Sequence, residues 1–327
     1  MTQAKAEDEL AQPLDVAPAE ALEAPHARPA LGVASRSGLV LAAFGAIAFS
    51  GKAIIVKLGY RYGADAVTLL ALRMLVAFPF FLVMGAWAAR RSAPLSAADR
   101  WRVLLLGFLG YYLASFLDFA GLVYITATLE RLILYLTPTL VALIGWLAFG
   151  KRISRRQLVA LLVSYAGVAL AFGHDLHAGD GDIMLGGALV FGSALAYALY
   201  LVGSGELVVR VGAARLTAYA SSVASVLCLL QFVALRPMQA MVLPWEVYAL
   251  SLVNGTVCTV LPVLAVMMAV ARIGSALAAQ VGMIGPVSTI VLSLVLLGEP
   301  MGPWQVAGTV LVMAGVFVVS QQKTASR

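Results

Sequence analysis

Ten apolar runs, each close to twenty residues long, dominate this chain. They lie near 37–58, 66–89, 101–123, 126–148, 155–172, 183–204, 214–235, 247–270, 274–298 and 303–320. A helix rising 1.5 Å per residue needs about 20 apolar residues to cross the hydrocarbon core of a bilayer, and each run roughly supplies that length. Inside lipid every backbone N–H and C=O must be paired within the protein, so a spanning segment is either a helix or part of a closed barrel. Barrel strands alternate apolar and polar residues, whereas these runs are continuous. Composition agrees: hydrophobic residues make up 62% of the 327 and charged residues only 12%, about half the charged share of a soluble domain. The expected class is an all-α integral membrane protein with ten transmembrane helices.

The basic residues orient those helices. With the N-terminus on the cytoplasmic side, 16 of the 22 Lys and Arg residues fall on that side: Lys5, Arg28, Arg36, Arg90, Arg91, Arg100, Arg102, Lys151, Arg152, Arg155, Arg156, Arg210, Arg215, Arg272, Lys323 and Arg327. Four, namely Lys57, Arg61, Arg131 and Arg236, fall at the outer ends. Such a bias sets topology, and it gives N-in, C-in with an even number of crossings. Cations scattered through short loops form no continuous basic face, so a net charge of +6 does not imply nucleic acid as a partner. Residues 1–36 are rich in Ala, Pro and acids, contain no apolar core of a signal peptide, and are expected to be a disordered cytoplasmic tail, with 321–327 a second one. Cys228 and Cys258 fall inside apolar runs and read as packing residues. The turn HDLHAGDGD at 174–182 meets no metal-ligand spacing, and no metal or cofactor is expected.

The chain also repeats itself. Shifted by 148 residues without gaps, 126–172 superimposes on 274–320: Pro138 meets Pro286, Gly150 meets Gly298, Gln157 meets Gln305, and Ala166-Gly167-Val168 meets Ala314-Gly315-Val316. We read a duplication of 37–172 as 183–320, with five spans in each copy. Five is odd, so the second copy enters the membrane upside-down. Inverted repeats of this kind build secondary transporters, with the substrate site between the halves near mid-membrane.

The stretch TLERLILYLTPTLVALIGWLAFGKRISRRQLVALLVSYAGVAL resembles the EamA-type half of the drug/metabolite transporter superfamily, and GSALAAQVGMIGPVSTIVLSLVLLGEPMGPWQVAGTVLVMAGV is similar to a second copy. The resemblance covers about residues 37–320 and rests on a helix, a proline and a glycine-charged turn in each copy. It implies a ten-helix exporter of a bacterial inner membrane, with a cavity lined mainly by spans 1, 3, 4, 6, 8 and 9. Spans 5 and 10 would be peripheral. Bacterial amino-acid exporters are built this way, as are exporters of other metabolites. One departure is Gly150-Lys151, where the family often has Gly-Glu, as in Gly298-Glu299. That lysine adds to the positive-inside signal.

Five ionisable residues lie within the spans: Lys52, Arg73, Asp118, Glu130 and Arg131. Charges there are costly and by default functional. The orientation puts all five in the outer half of the first copy, where three cations and two acids can nearly compensate one another. Each is open to two roles, in an ion-pair network pinning spans 1–4 or on the cavity wall. Arg73 and Arg131 stand near span ends, where long cationic side chains snorkel. Lys52, roughly 22 Å up span 1, is the deepest cation. It is the expected attractor of a substrate carboxylate, and it disfavours the cationic drugs that an acid in the first helix of small multidrug members would bind. The second copy replaces Glu130 and Arg131 by Ala278 and Ala279.

Polar residues elsewhere form helical faces. Ser193, Tyr197, Tyr200 and Ser204 share one face of span 6, and Tyr111, Ser115 and Asp118 one face of span 3. The expected cavity residues are Lys52, Tyr111, Ser115, Asp118, Glu130, Arg131, Tyr135, Ser193, Tyr197, Tyr200, Asn254 and Gln280. Pro138 and Pro286 are expected to loosen the backbone for gating. Gly308 and Gly315 on span 10 read as close-packing residues. Together these point to export of a small polar metabolite, first an amino acid, with Lys52 toward its carboxylate and Asp118 or Glu130 toward its ammonium. Export of other organic anions or drugs with proton coupling is the alternative, and a channel or scaffold a more distant one. An enzyme would need a clustered nucleophile, metal ligands or a paired acid and base near a membrane surface, and none is visible. The oligomeric state stays open, a monomer included.

Overall fold

The computed structural model describes residues 36–90, 93–150, 155–178, 182–282, 284–299 and 302–320. The expected tails, Lys151 and residues 179–181 lie outside them, as do the side chains of Gln157, His174, His177 and Gln280. Among the described residues all regular structure is helical. We number α1 Arg36–Arg61, α2 Ala66–Ala89, α3 Ala97–Gly121, α4 in two pieces (Ala127–Leu134 and Thr137–Phe149), α5 Arg155–Ala178, α6 Ile183–Val211 and α7 Ala213–Leu235. A short 3-10 turn, Met238–Met241, leads to α8, which runs as Trp245–Gly255, Thr256–Val260 and Leu261–Gly282. Then come α9 Ile284–Leu297 and α10 Pro303–Ser320. Among the described residues seven helices are long and apolar enough to cross a membrane, and Leu161–Ala171 and Ile284–Leu297 are shorter apolar helices.

Local sequence explains the boundaries. The Asp65 carboxylate accepts the Val67 and Thr68 N–H groups at 3.0 and 3.3 Å and so starts α2. Ser96 does the same for α3 and Thr126 for α4, each capping an N–H three residues on. Asp65 also ties α2 to the far end of α7, because Arg236 Nε donates to it at 3.0 Å. Gly150 and Gly298 end their helices with φ of 62° and 67°, a left-handed conformation that other residues rarely adopt. Pro138 has no N–H to donate, and α4 breaks just ahead of it, at Tyr135 and Leu136.

The 148-residue offset seen over the later spans extends to the whole bundle. It carries Ala97, the start of α3, onto Trp245, the start of α8. It carries the widened π-type turn Phe108–Leu113 in α3 onto the one at Thr256–Val260 in α8. Packing follows the same exchange. α5 packs on α10 and α2 on α7; α3 packs on α6 and α7, as α8 packs on α1 and α2.

α5 and α6 run past their expected ends, 172 and 204, to Ala178 and Val211, and one expected loop is missing. A loop was expected between 270 and 274, yet helical hydrogen bonding continues from Leu261 to Gly282. The residues there, ARIGSALAAQ, contain good helix formers and no proline, so nothing local stops the ladder. The chain nevertheless reverses. Gly51, Gly45 and Gly38 of α1 lie against Cys258, Val266 and Ile273 in turn, so α8 runs antiparallel to α1. Beyond that point Ala278 joins Ala42, Gly285 meets Ser50, and Leu297 accepts from Arg61, so the chain now runs parallel to α1.

Lipid is as apolar as leucine, so helix association in a membrane relies on close backbone approach rather than on hydrophobic burial. The contact of α5 with α10 shows this. A Cβ added to Gly167 would stand 2.6 Å from the Gly308 carbonyl oxygen, and one on Gly308 would stand 2.5 Å from that of Gly167. Replacing Gly167 with Leu should therefore overpack the contact and cost about 1–3 kcal/mol, read as a lower unfolding temperature in detergent. Leu at Gly205, where a Cβ meets nothing within 4 Å, should leave that temperature unchanged.

Candidate substrate cavity

The five intramembrane charges come together beside α1. Lys52 Nζ donates to Asp118 Oδ2 at 2.5 Å and lies 3.5 Å from Glu130 Oε1. Glu130 Oε2 is 4.0 Å from Arg131 Nε. Arg131 also donates to Thr289 Oγ1 at 3.0 Å and, at 3.4 and 3.5 Å, to the Phe49 and Ser50 carbonyls, so it links α4 to α1 and α9. Arg73 donates from Nε to Thr259 Oγ1 at 2.8 Å and stands 5.4 Å from the centre of the Phe119 ring. Relative exposure is 6% for Lys52, 5% for Arg73, 2% for Asp118, 0% for Glu130 and 6% for Arg131. Three helices of the first repeat, α1, α3 and α4, thus surrender their charges to one another instead of to water. Snorkelling does not describe Arg73 or Arg131, because both turn inward onto threonines of the second repeat.

A cavity of about 800 Å³ opens beside this cluster. Its walls are paired by the 148-residue offset: Phe49 with Tyr197, Arg73 with Ser221, Tyr111 with Thr259, Ser115 with Val263, and Leu134 with Gly282 all line it. The cavity therefore sits on the relation between the two halves. From Lys52 it extends toward the end of the bundle that carries Arg36, since Phe49, Phe81, Tyr111, Val141 and Leu201 all lie on that side.

Of the residues singled out from sequence, Lys52, Tyr111, Ser115, Asp118, Arg131, Tyr135, Ser193, Tyr197 and Pro138 line this cavity. Four others do not. Glu130 points away from it, into the cluster behind Lys52. Tyr200 packs against Gly110 and edge-on to Tyr111, with ring centres 5.1 Å apart, because its place on the helical face turns it into the α3 contact. Asn254 is buried in α8, where its carbonyl accepts from Thr259 at 2.7 Å. Pro286 is buried near the start of α9. The Gln280 side chain lies outside the described residues. Thr137, Ser221 and Thr259 line the cavity and were missed as wall residues, and Arg73, left open between an ion-pair and a wall role, lines it too. The offset could have found Ser221 and Thr259, since they are the repeat partners of Arg73 and Tyr111. Cys228 and Cys258 are both free and buried.

The sequence matches the EamA-like transporter family twice, over residues 36–173 and again over 184–321. The chain belongs to this family. That makes it a multi-pass membrane transporter rather than an enzyme. This EamA-family transporter is 31% identical over 292 residues to a Bacillus subtilis (strain 168) protein named uncharacterized transporter YcbK, covering 86% of the chain and 91% of that relative. A crystal structure 18% identical to it superimposes with a TM-score of 0.59, covering 86% of this chain and 97% of the other. At that identity the likeness speaks for the fold alone.

On the other side of the charged cluster the transporter is tightly closed. Lys57 donates to the Ile125 carbonyl at 2.8 Å and pairs with Glu299 at 3.6 Å. Glu299 in turn accepts the Ala127 N–H at 3.1 Å and the Ser293 hydroxyl at 2.5 Å. It thus places a carboxylate of the second repeat on the N-terminus of α4 in the first, where the helix dipole favours it. Tyr60 donates to the Phe119 carbonyl at 2.5 Å, over an apolar plug that includes Ile54, Leu70, Phe119 and Leu122.

The cluster dictates a stability test. Removing the Lys52 ammonium strands two buried carboxylates, and breaking a buried pair in this way costs about 3–5 kcal/mol. Lys52→Met should sharply lower the unfolding temperature. The double variant Lys52→Met/Asp118→Asn should recover part of the loss, because only Glu130 then lacks its original partner.

Proposed function

We propose that this transporter exports small polar metabolites bearing a carboxylate, amino acids among them, across a bacterial inner membrane. The carrying observation is a cavity on the repeat relation whose charged wall is mostly cationic: Lys52, Arg73 and Arg131 against Asp118. Transport proceeds by alternating access between two inverted halves of five spans, with both termini cytoplasmic. In this reading the cavity opens toward the cytoplasm, and the Lys57–Glu299 contacts form the closed outer gate. The break in α4 ahead of Pro138 gives the cavity wall a joint where a gate needs one. A second reading, organic anions with no ammonium group, is favoured by one observation: both acids of the cluster already face Lys52.

Counterflow in proteoliposomes with a panel of amino acids, organic acids and organic cations tests the substrate class. Uptake of carboxylates and not of cations is the expected result, and uptake of cations alone would sink the reading. Orientation has its own check. A cysteine at Ser96, before α3, should react with an impermeant maleimide only from the cytoplasmic side.

The gate reading predicts a shift in population. Glu299→Gln removes the charge that holds Lys57 and sits on α4, so the outer gate should open more often. Outside labelling of a cysteine at buried Ile125 should then speed up several-fold over the parent. An unchanged rate would show that Glu299 does not latch the gate.

A further inference from the structure

Four of the five ionisable groups beside α1 answer one another. Asp118 and Glu130 lie 2.5 and 3.5 Å from Lys52, and Glu130 lies 4.0 Å from Arg131. Arg73 stands apart. Its ordinary contacts are the Thr259 hydroxyl at 2.8 Å and the face of Phe119, and among the described residues no carboxylate lies within 4.0 Å of it. Its Nη1 has no hydrogen-bond partner among the described residues, although the side chain is 95% shielded or more. An arginine does not escape this by giving up its proton. An unanswered guanidinium out of water is strongly unfavourable, and a protein that keeps one has a reason other than stability.

Position adds to the argument. Arg73 lines the 800 Å³ cavity, and so do Tyr111, Ser115 and Tyr197, which supply hydroxyls around it. The Thr259 bond and the Phe119 ring hold the guanidinium in place before any ligand arrives. Its repeat partner is Ser221, which is neutral, so the cavity has this anchor on one side only. Formal charge points the same way. Lys52, Arg73 and Arg131 against Asp118 and Glu130 leave one positive charge, and the distances put it on Arg73. A zwitterion adds no net charge and leaves that excess buried, whereas a monoanion cancels it.

We propose that Arg73 is the anion anchor of the cavity and that the cavity selects small monocarboxylates without an ammonium group over zwitterions. The proposal deepens the carboxylate-export reading above and rests on it. The substrate carboxylate accepts hydrogen bonds from the free edge of the guanidinium, in the fork geometry that arginine offers to planar anions. Lys52, the cation expected from sequence to meet the carboxylate, instead keeps the acids of α3 and α4 neutralised.

The test compares leucine with 2-hydroxyisocaproate, its analogue with hydroxyl in place of ammonium, in proteoliposomes of the parent and of Arg73→Gln and Arg73→Lys. The hydroxy acid should have the lower KM in the parent. Arg73→Gln should raise that KM by roughly 10- to 100-fold, the usual worth of a hydrogen bond to a charged group. Arg73→Lys should recover part of it. Folding is checked on the same samples: Arg73→Gln removes an unanswered charge, so its unfolding temperature should not fall, and the hydroxy acid should stabilise the parent but not this variant. Unchanged KM in Arg73→Gln would overturn the anchor. Equal KM for the two compounds in the parent would overturn the preference for monoanions. If the parent moves neither compound nor any other carboxylate, the export reading itself fails, an outcome distinct from both.

Discussion

The ion cluster on Lys52 is the constraint on which the rest of this structure depends. In lipid a lone ammonium or carboxylate has nowhere to go, so the acids of α3 and α4 must reach the cation of α1. That requirement fixes the rotation of three helices about their axes and sets how closely they approach. Arg131 extends the same network to the carbonyls of α1 and to Thr289 of α9, which brings the second repeat into register with the first. A cluster of this kind is poor as a source of net stability but strict about geometry, since any misplaced member is left buried and unpaired. The cavity wall is what remains once that geometry is satisfied.

The bundle is symmetric in backbone and unsymmetric in chemistry. The offset of 148 residues relates helix starts, the π-type turns of α3 and α8, the left-handed glycines and the paired walls of the cavity. Across the same relation Lys52 becomes Tyr200, Asp118 becomes Val266, and Glu130 and Arg131 become alanines. Packing therefore explains what the two copies share. Charge explains what they do not. The contact of Lys57 with Glu299 is one-sided in the same way, since the repeat partner of Lys57 is Gly205.

Fold class was legible in the sequence because lipid leaves the backbone so few options, and the long apolar runs report that directly. The repeat was legible because proline and left-handed glycine cannot be exchanged freely. Among the site residues, those carrying charge or phenol on an apolar helix, such as Lys52, Tyr111 and Asp118, stood out by cost alone. Thr137 and Thr259 did not, since a hydroxyl that returns its proton to its own helix is cheap anywhere in a span; Ser221 is one small hydroxyl among several serines of α7. Tyr200 was read as a wall residue because periodicity gives a face but not which neighbour that face meets, and Glu130 because a charge within a span is by default functional. The turn between α8 and α9 escaped for a different reason: its sequence is helical by propensity, and only the approach of α1 on both sides shows that the chain doubles back.

The exchange of Arg73 for Ser221 has a consequence for any passenger of the proposed cycle. A cavity with two equal poles would accept a molecule either way round, and each turnover could flip it. Here one copy brings Lys52, Arg73, Asp118 and Arg131 to the wall and the other brings no charge, so on the export reading the passenger's head and tail are told apart before anything moves. In the proposed alternating access the doors then swing around a molecule of fixed bearing. With Arg73 as the proposed anchor, selectivity divides accordingly, charge being judged at Arg73 and girth and shape along the uncharged wall of the second copy.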